Sequence, residues 1–455
     1  MHPDKNSTTD AWTTLDQGST DRGLLARTGT RRRLLAAMLT LPLLAGAAAC
    51  GGDDSSSNDP NKKVELSIFW WGADGRAALT DKALALYTTK HPNVTFKKTW
   101  QANQGYFDKL ATLTAGGNAP DVFQIDDNYI AEYAARNITL DLTPYKDSGK
   151  IDVSKFPESL WKYGDVDGKL AGVAFGENTQ GLVYDKTLLD KYKLPAPTSG
   201  MSWEDFIAWA KNVSTTTKVP GTQDASAVYQ ALWVYLRQNG KDLYKGKELG
   251  FDAQDITNWF QLWKGARDSG ATPTPDVIHQ GNATDISKQL VVTGKAATSW
   301  VWANQMPELK KNTKDELGVI AYPGKPGSQW ARASMYLSAY KNSPHKDLAV
   351  DVINFLVNDP EAGKILGTDR GLPSNLDVRK LVADTVTDPN MKQTIAFQTQ
   401  LGTTFGTAPS VPLKGHSKVR SELVRIAEEV LYGRQTPAQG AEAFVTAAKA
   451  AIGQS

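Results

Sequence analysis

GNAPDVFQIDDNYIAEYAARNITLDLTPY, residues 117–145, sets a short apolar strand directly before a helix and fills the junction with polar side chains. Val122, Phe123 and Ile125 read as a buried strand introduced by the turn pair Pro120-Asp121. Asp126, Asp127 and Asn128 follow as polar tip and helix N-cap. Tyr129 to Arg136 carries Ile130, Tyr133 and Ala134 at helical spacing, and Asn137 stands where a helix commonly ends in a left-handed residue. Ligands of open α/β sheets collect outside the carboxyl ends of the strands, so Asp126 and Asp127 are candidate binding residues.

The preceding chain repeats the arrangement. Val64, Leu66, Ile68 and Phe69 make a strand ending at Trp70-Trp71-Gly72; Ala77 to Lys90 is a helix with Leu79, Ala83, Leu86 and Tyr87 on one face; Val94 to Trp100 is a second strand. This is a right-handed βαβ opening. Asn103 and Gln104 come next, then a helix from Tyr106 to Ala115. Three strand ends thereby present Trp70 and Trp71, Asn103 and Gln104, and Asp126 and Asp127 to one side.

The stretch at 117–145, with the strand, helix and HPNVTF (91–96) before it, resembles the signature of family 1 extracellular solute-binding proteins, the sugar-capturing components of bacterial ABC importers. The resemblance runs in order from about Val64 to Ile452. It implies an α/β, two-lobe periplasmic-binding-protein-like fold of type II, with three interlobe crossings and a carbohydrate site between the lobes. The crossings are expected at Gly176-Glu177-Asn178, at 324–329 and at Asn358-Asp359-Pro360. Lobe one is then 63–175 and 328–357, and lobe two 177–323 and 360–455. Family members place a ligand-contacting residue at the first crossing, which makes Glu177 the strongest polar candidate, with Asn178 beside it. Tyr229 and Trp233 fall four apart on one helix face, either stacking on sugar as in the family or packing in the core. Trp300 and Trp302 share a strand face, and at least one is expected to meet the ligand. Arg332 sits at the cleft end of the next strand. Where maltose-binding members carry a sugar-stacking Trp, this chain has Lys414-Gly-His416-Ser417, so maltose is not implied.

Composition bounds the remaining choices. The 455 residues suffice for two or three domains, and 40% hydrophobic content is ordinary for a globular protein. Of 51 Lys plus Arg and 49 Asp plus Glu, residues 1–49 hold six and four, leaving 45 of each sign. That balance gives no reason to expect nucleic acid as a partner. Thirteen Trp and 15 Tyr suit the apolar faces of sugars, although core packing is the ordinary role of any single one. The sole cysteine, Cys50, excludes an internal disulfide.

Thr30-Arg31-Arg32-Arg33 followed by the uncharged run Leu34 to Ala49 reads as an export signal over 1–49, with a twin-arginine order. Ala47-Ala48-Ala49-Cys50 resembles a lipobox with Ala in the usual Leu position, and 51–62 reads as a flexible polar tether. Lipidation of Cys50 and a lipid anchor on the outer face of the membrane are expected. There is no HExxH, GxxxxGK[ST] or GxSxG, so no metal, cofactor or catalytic residue is expected; a separate ATPase would drive the partner permease, and the chain would act as a monomer. The rival is a secreted glycoside hydrolase using Asp126 and Glu177 as its acid/base pair, but it has no pattern of its own along the chain.

Overall fold

In the computed structural model, residues 63–103, 105–281 and 285–453 are described; the export signal, Cys50, the tether and Gln104 lie outside them. The chain begins with β1 (Val64–Trp71), α1 (Asp74–Lys90), β2 (Val94–Gln101), α2 (Tyr106–Ala115) and β3 (Val122–Ile125). β1 lies parallel to both β2 and β3, with Val64 opposite Val94 and Ile68 opposite Val122. Asp121, just before β3, staples the turn: one carboxylate oxygen accepts from the Ser67 amide and hydroxyl (2.8 and 2.6 Å), the other from the Ser343 hydroxyl (2.5 Å). Asn137 has φ 60°, the left-handed geometry that ends a helix.

β4 (Val173–Asn178) leads through Thr179 into β5 (Gln180–Asp185), which belongs to a different sheet. The helices α3 (Trp203–Thr217), α4 (Tyr229–Gln238) and α5 (Ala253–Asp268) follow, then β6 (Thr298–Trp302) and β7 (Leu317–Ile320). β6 and β7 pair antiparallel with β5 on either side. The chain then returns as β8 (Arg332–Ala339), antiparallel between β3 and β4. α6 (Lys346–Asn358), α7 (Pro360–Leu366), β9 (Leu372–Pro373) and α8 (Leu376–Thr385) come next, and α9 (Pro389–Gly402), α10 (His416–Leu431) and α11 (Pro437–Gly453) complete the chain. The first sheet has the order β9-β4-β8-β3-β1-β2 and the second β6-β5-β7.

Each sheet supports its own core. The first gathers Leu66, Phe69, Phe123, Tyr336 and Ile353; the second is built around Trp203, Trp259, Trp263 and Trp300 and closed by α10 and α11. The lobe limits differ from the sequence expectation in three places. β4 stays in the first sheet through Asn178, and Trp330 packs 4.8 Å from Trp233 in the second core, so lobe one resumes at Ala331. The third difference is larger. Asp359 is no crossing: its carboxylate caps α7 through the Glu361 and Ala362 amides, both 2.9 Å away, and the chain merely kinks between two helices of lobe one. Leu366 joins the first core and β9 pairs with β4. Gly371 (φ 92°) permits that pairing, since a Cβ there would meet the Glu177 carbonyl oxygen at 2.4 Å. The chain changes lobes only between α8 and α9, which packs on β7.

Because β8 lies between β3 and β4, a fragment spanning 64–175 leaves Val122, Phe123 and Ile125 on an unpaired apolar edge. Expressed alone it is expected to aggregate or unfold without cooperativity; a soluble fragment with a cooperative thermal transition would show that this sheet does not need its inserted strand.

Candidate functional site

A cleft of about 530 Å³ opens where the carboxyl ends of the first sheet's parallel strands face the second lobe. Lobe one supplies Trp71 from the end of β1, Asn103, Phe107 from α2, and Asp126, Asn128 and Tyr129 from the junction after β3. Arg332 and Ser334 come from the start of β8 and Asn178 from the end of β4. Across from them stand Tyr229 and Gln230 at the start of α4, Trp302 at the end of β6, and Arg420 on α10.

At the floor, Arg332 donates from Nε to Asp127 Oδ2 (2.5 Å), and its Nη2 bonds the other carboxylate oxygen. Asp127 is buried, so this pair is shielded from water. Asp126 faces the cleft instead, accepting from the Asn128 amide (3.0 Å) and its Nδ2 (3.1 Å). Burial, then the neighbouring Asp127, raise its pKa to about 6 against the opposing pull of Arg332, Asn128 and Arg420. Asn128 also accepts from Arg420 Nη1 at 2.6 Å, a bond from one lobe to the other. Arg420 Cζ lies 4.1 Å from the centre of the Tyr229 ring, and Arg332 Cζ 4.6 Å from that of Trp302. His416 lies behind Tyr229 with Nδ1 2.7 Å from the Tyr244 hydroxyl, and burial, aided by Arg420, pushes its pKa down to about 3, so it stays neutral.

The structure thus gathers Trp71, Asn103, Asp126, Asn178, Tyr229, Trp302 and Arg332 on the cleft, with Asp127 immediately behind. Four candidates stand elsewhere. Trp70 is in the first core, and Trp233 is in the second, donating to Asp242 (2.5 Å). Trp300 donates to the Gln223 carbonyl (2.8 Å) and is enclosed by Trp203, Phe206 and Tyr322. Glu177 is buried and bonded to Arg379 Nη2 of α8 (2.7 Å), outside the cleft lining, so it cannot join Asp126 as an acid/base pair. Sequence reasoning missed Arg76, Phe107, Gln230 and Arg420. Phe107 and Gln230 sit beside residues already placed near strand or helix ends, whereas nothing local marks Arg420, 292 residues from its partner Asn128.

Two lobes that pass the chain between them three times share a cleft whose aromatic rings, guanidinium groups and amides come from both sides. Residues 82–393 match the family described as bacterial extracellular solute-binding protein. The chain belongs to that family. It is 29% identical over 157 residues to a lactose-binding protein of Rhizobium radiobacter, covering 34% of this chain and 36% of that one. Over 149 residues it is 28% identical to an uncharacterised lipoprotein of Streptomyces antibioticus, covering 32% of each. It thus spans about a third of the length of the curated relatives it matches. Among solved structures, the family 1 extracellular solute-binding protein of Alicyclobacillus acidocaldarius superposes with a TM-score of 0.71 at 27% identity, over 86% of this chain and 99% of the other. Among the described residues no helix is long and apolar enough to cross a membrane.

The raised pKa of Asp126 fixes a pH dependence. Between its ordinary value of 3.8 and about 6 the folded protein holds a proton that the unfolded chain releases. The stability from this group is therefore complete below the lower value and is lost as pH rises through the upper one. Asp126→Asn should be more stable than the wild type at neutral pH by about 1–2 kcal/mol, with the advantage vanishing near pH 4. Thermal melts across this range check it, and parallel wild-type and variant profiles would rule it out.

Proposed function

We propose that the chain is the extracytoplasmic capture component of an ABC importer. It binds a saccharide between its lobes and delivers it unaltered to a membrane permease served by a separate ATPase. The observation that carries this reading is the cleft itself, where rings from both lobes (Trp71, Tyr129, Tyr229 and Trp302) alternate with amide and guanidinium donors. Sugars pair apolar ring faces with rims of hydroxyls, and such a lining meets both. The similarity to a lactose-binding protein points to the same ligand class. Binding without catalysis is supported by the place of Glu177, whose carboxylate is engaged by Arg379 rather than facing Asp126.

Cleft and scaffold carboxylates then separate in one experiment. With a sugar identified by thermal shift, Trp302→Ala should weaken binding by about 1 kcal/mol or more, roughly five- to tenfold, with little change in stability. Glu177→Gln should leave affinity almost unchanged while destabilising the fold by about 3 kcal/mol, because it strands the Arg379 charge. The sugar should be recovered intact from both proteins and from the wild type. Cleaved sugar, lost in Glu177→Gln, would establish the hydrolase instead.

Cys50 is the proposed lipid attachment point, supported by the Ala47-Ala48-Ala49-Cys50 sequence and by similarity to the Streptomyces lipoprotein. Cys50→Ser should move the protein from the membrane fraction to the soluble extracytoplasmic fraction. Unchanged partitioning would refute anchoring through this residue.

A further inference from the structure

On the wall that lobe two presents to the cleft, aromatic faces are paired with guanidinium groups. Its two rings, Tyr229 and Trp302, each have a guanidinium over one face, Arg420 and Arg332 respectively. A ring covered in this way offers less bare surface to a sugar, and the guanidinium it holds offers preorganised N–H donors. The cleft arginines differ in their partners. Arg332 is paired with Asp127, and Arg76 lies 2.7 Å from Asp369. The same Asp369 oxygen is 3.3 Å from the buried Arg370. Arg420 has no carboxylate within ion-pair distance among the described residues; its hydrogen bond goes to the neutral amide of Asn128 (2.6 Å). Of the three arginines that line the cleft (Arg76, Arg332 and Arg420), Arg420 is thus the one without an ion-pair carboxylate among the described residues; Arg370 is buried outside the lining.

We propose that the ligand is an acidic saccharide, one bearing a carboxylate as a uronic acid does, and that Arg420 receives this carboxylate. The inference rests on the saccharide reading above and narrows it. A carboxylate takes two parallel N–H bonds from a guanidinium fork, and among the described residues that line the cleft Arg420 is the arginine with no carboxylate on its fork. A phosphorylated sugar fits less well, since its second charge would face Asp126 with no further free cation. Asp126, with its pKa raised to about 6 by burial and Asp127, opposes a carboxylate at neutral pH and does so less as pH falls through that value.

The test is titration calorimetry of the purified protein against matched pairs that differ only in the carboxylate: glucose and glucuronate, galactose and galacturonate, and the corresponding disaccharides, with glucose 6-phosphate added. The acidic member of a pair should bind about tenfold tighter or more, the worth of a charge-assisted hydrogen bond. Arg420→Gln should abolish that ratio, and Arg420→Lys should retain part of it. The readout is a ratio within one protein, so a variant that merely hinders closure lowers both affinities and leaves the ratio intact, which would overturn the role of Arg420. Equal or tighter binding of the neutral sugars, or tightest binding of the phosphate ester, would overturn the acidic ligand while leaving the saccharide reading in place. Absence of binding by every sugar would overturn both. The wild-type ratio decides the ligand class even where a variant fails to fold.

Discussion

The ion pair between Asp127 and Arg332 is the constraint on which the rest of the arrangement depends. Asp127 follows β3 and Arg332 opens β8, the strand that returns from lobe two and enters the middle of the first sheet. Both charges are withdrawn from water, with side-chain exposures of 1% and 11%. Removing either would leave the other buried without a partner, at a cost of about 3–5 kcal/mol. The pair therefore fixes where the returning chain joins the sheet. It also sets the cleft wall, since the guanidinium bound to Asp127 is the one lying over Trp302.

Much of the fold was legible because its signals are local. The alternation of Val64, Leu66 and Ile68, the helical stripe of α1 and the Pro120-Asp121 turn are each readable within a few residues, and together they specify a βαβ opening. The resemblance supplied what such patterns cannot, the passage of the chain into a second lobe. The lobe limits were misread where one signal has two structural meanings. Asn358-Asp359-Pro360 ends one helix and caps the next, and no local feature tells whether the new helix crosses to another lobe. That is decided by the apolar face of α7 and by the pairing of β9 with β4.

The candidate site shows the same limit at the level of side chains. Trp300 and Trp302 share a strand face, but only strand alternation is visible in sequence, not the height at which core gives way to cleft. Trp300 lies under a roof of Trp203, Phe206 and Tyr322, whereas Trp302, two residues on, passes its edge. Of the tryptophans among the described residues, Trp71 and Trp302 line the cleft. The high Trp content therefore reports mainly on a second lobe whose small three-stranded sheet needs bulky rings to fill its core. Glu177 was misplaced because its partner Arg379 lies 202 residues away, and a charge reads identically in sequence whether it meets a ligand or another side chain.

How the lobes could part follows from the few bonds that join them across the cleft. Among the described residues these include Arg420 with Asn128 (2.6 Å), Asn178 with Asn304 (3.0 Å) and the ring contact of Arg332 with Trp302. Each is polar and lies on the cleft, so on opening it would be exchanged for water, and hydrogen bonds of this kind have a net worth near 1 kcal/mol. The larger apolar cores are separate clusters, joined by the segment between α9 and α10, where Phe405, Ala408 and Val411 pack on the first core and Ala408 also on the second. Contacts of this size across a cleft are ones that a small solute can outweigh, because its own bonds to both walls would be of comparable strength. Two cores joined by few contacts would let a solute bound between them bias the relation of the lobes, and the Asp127–Arg332 pair would hold one wall of the cleft fixed in any such movement.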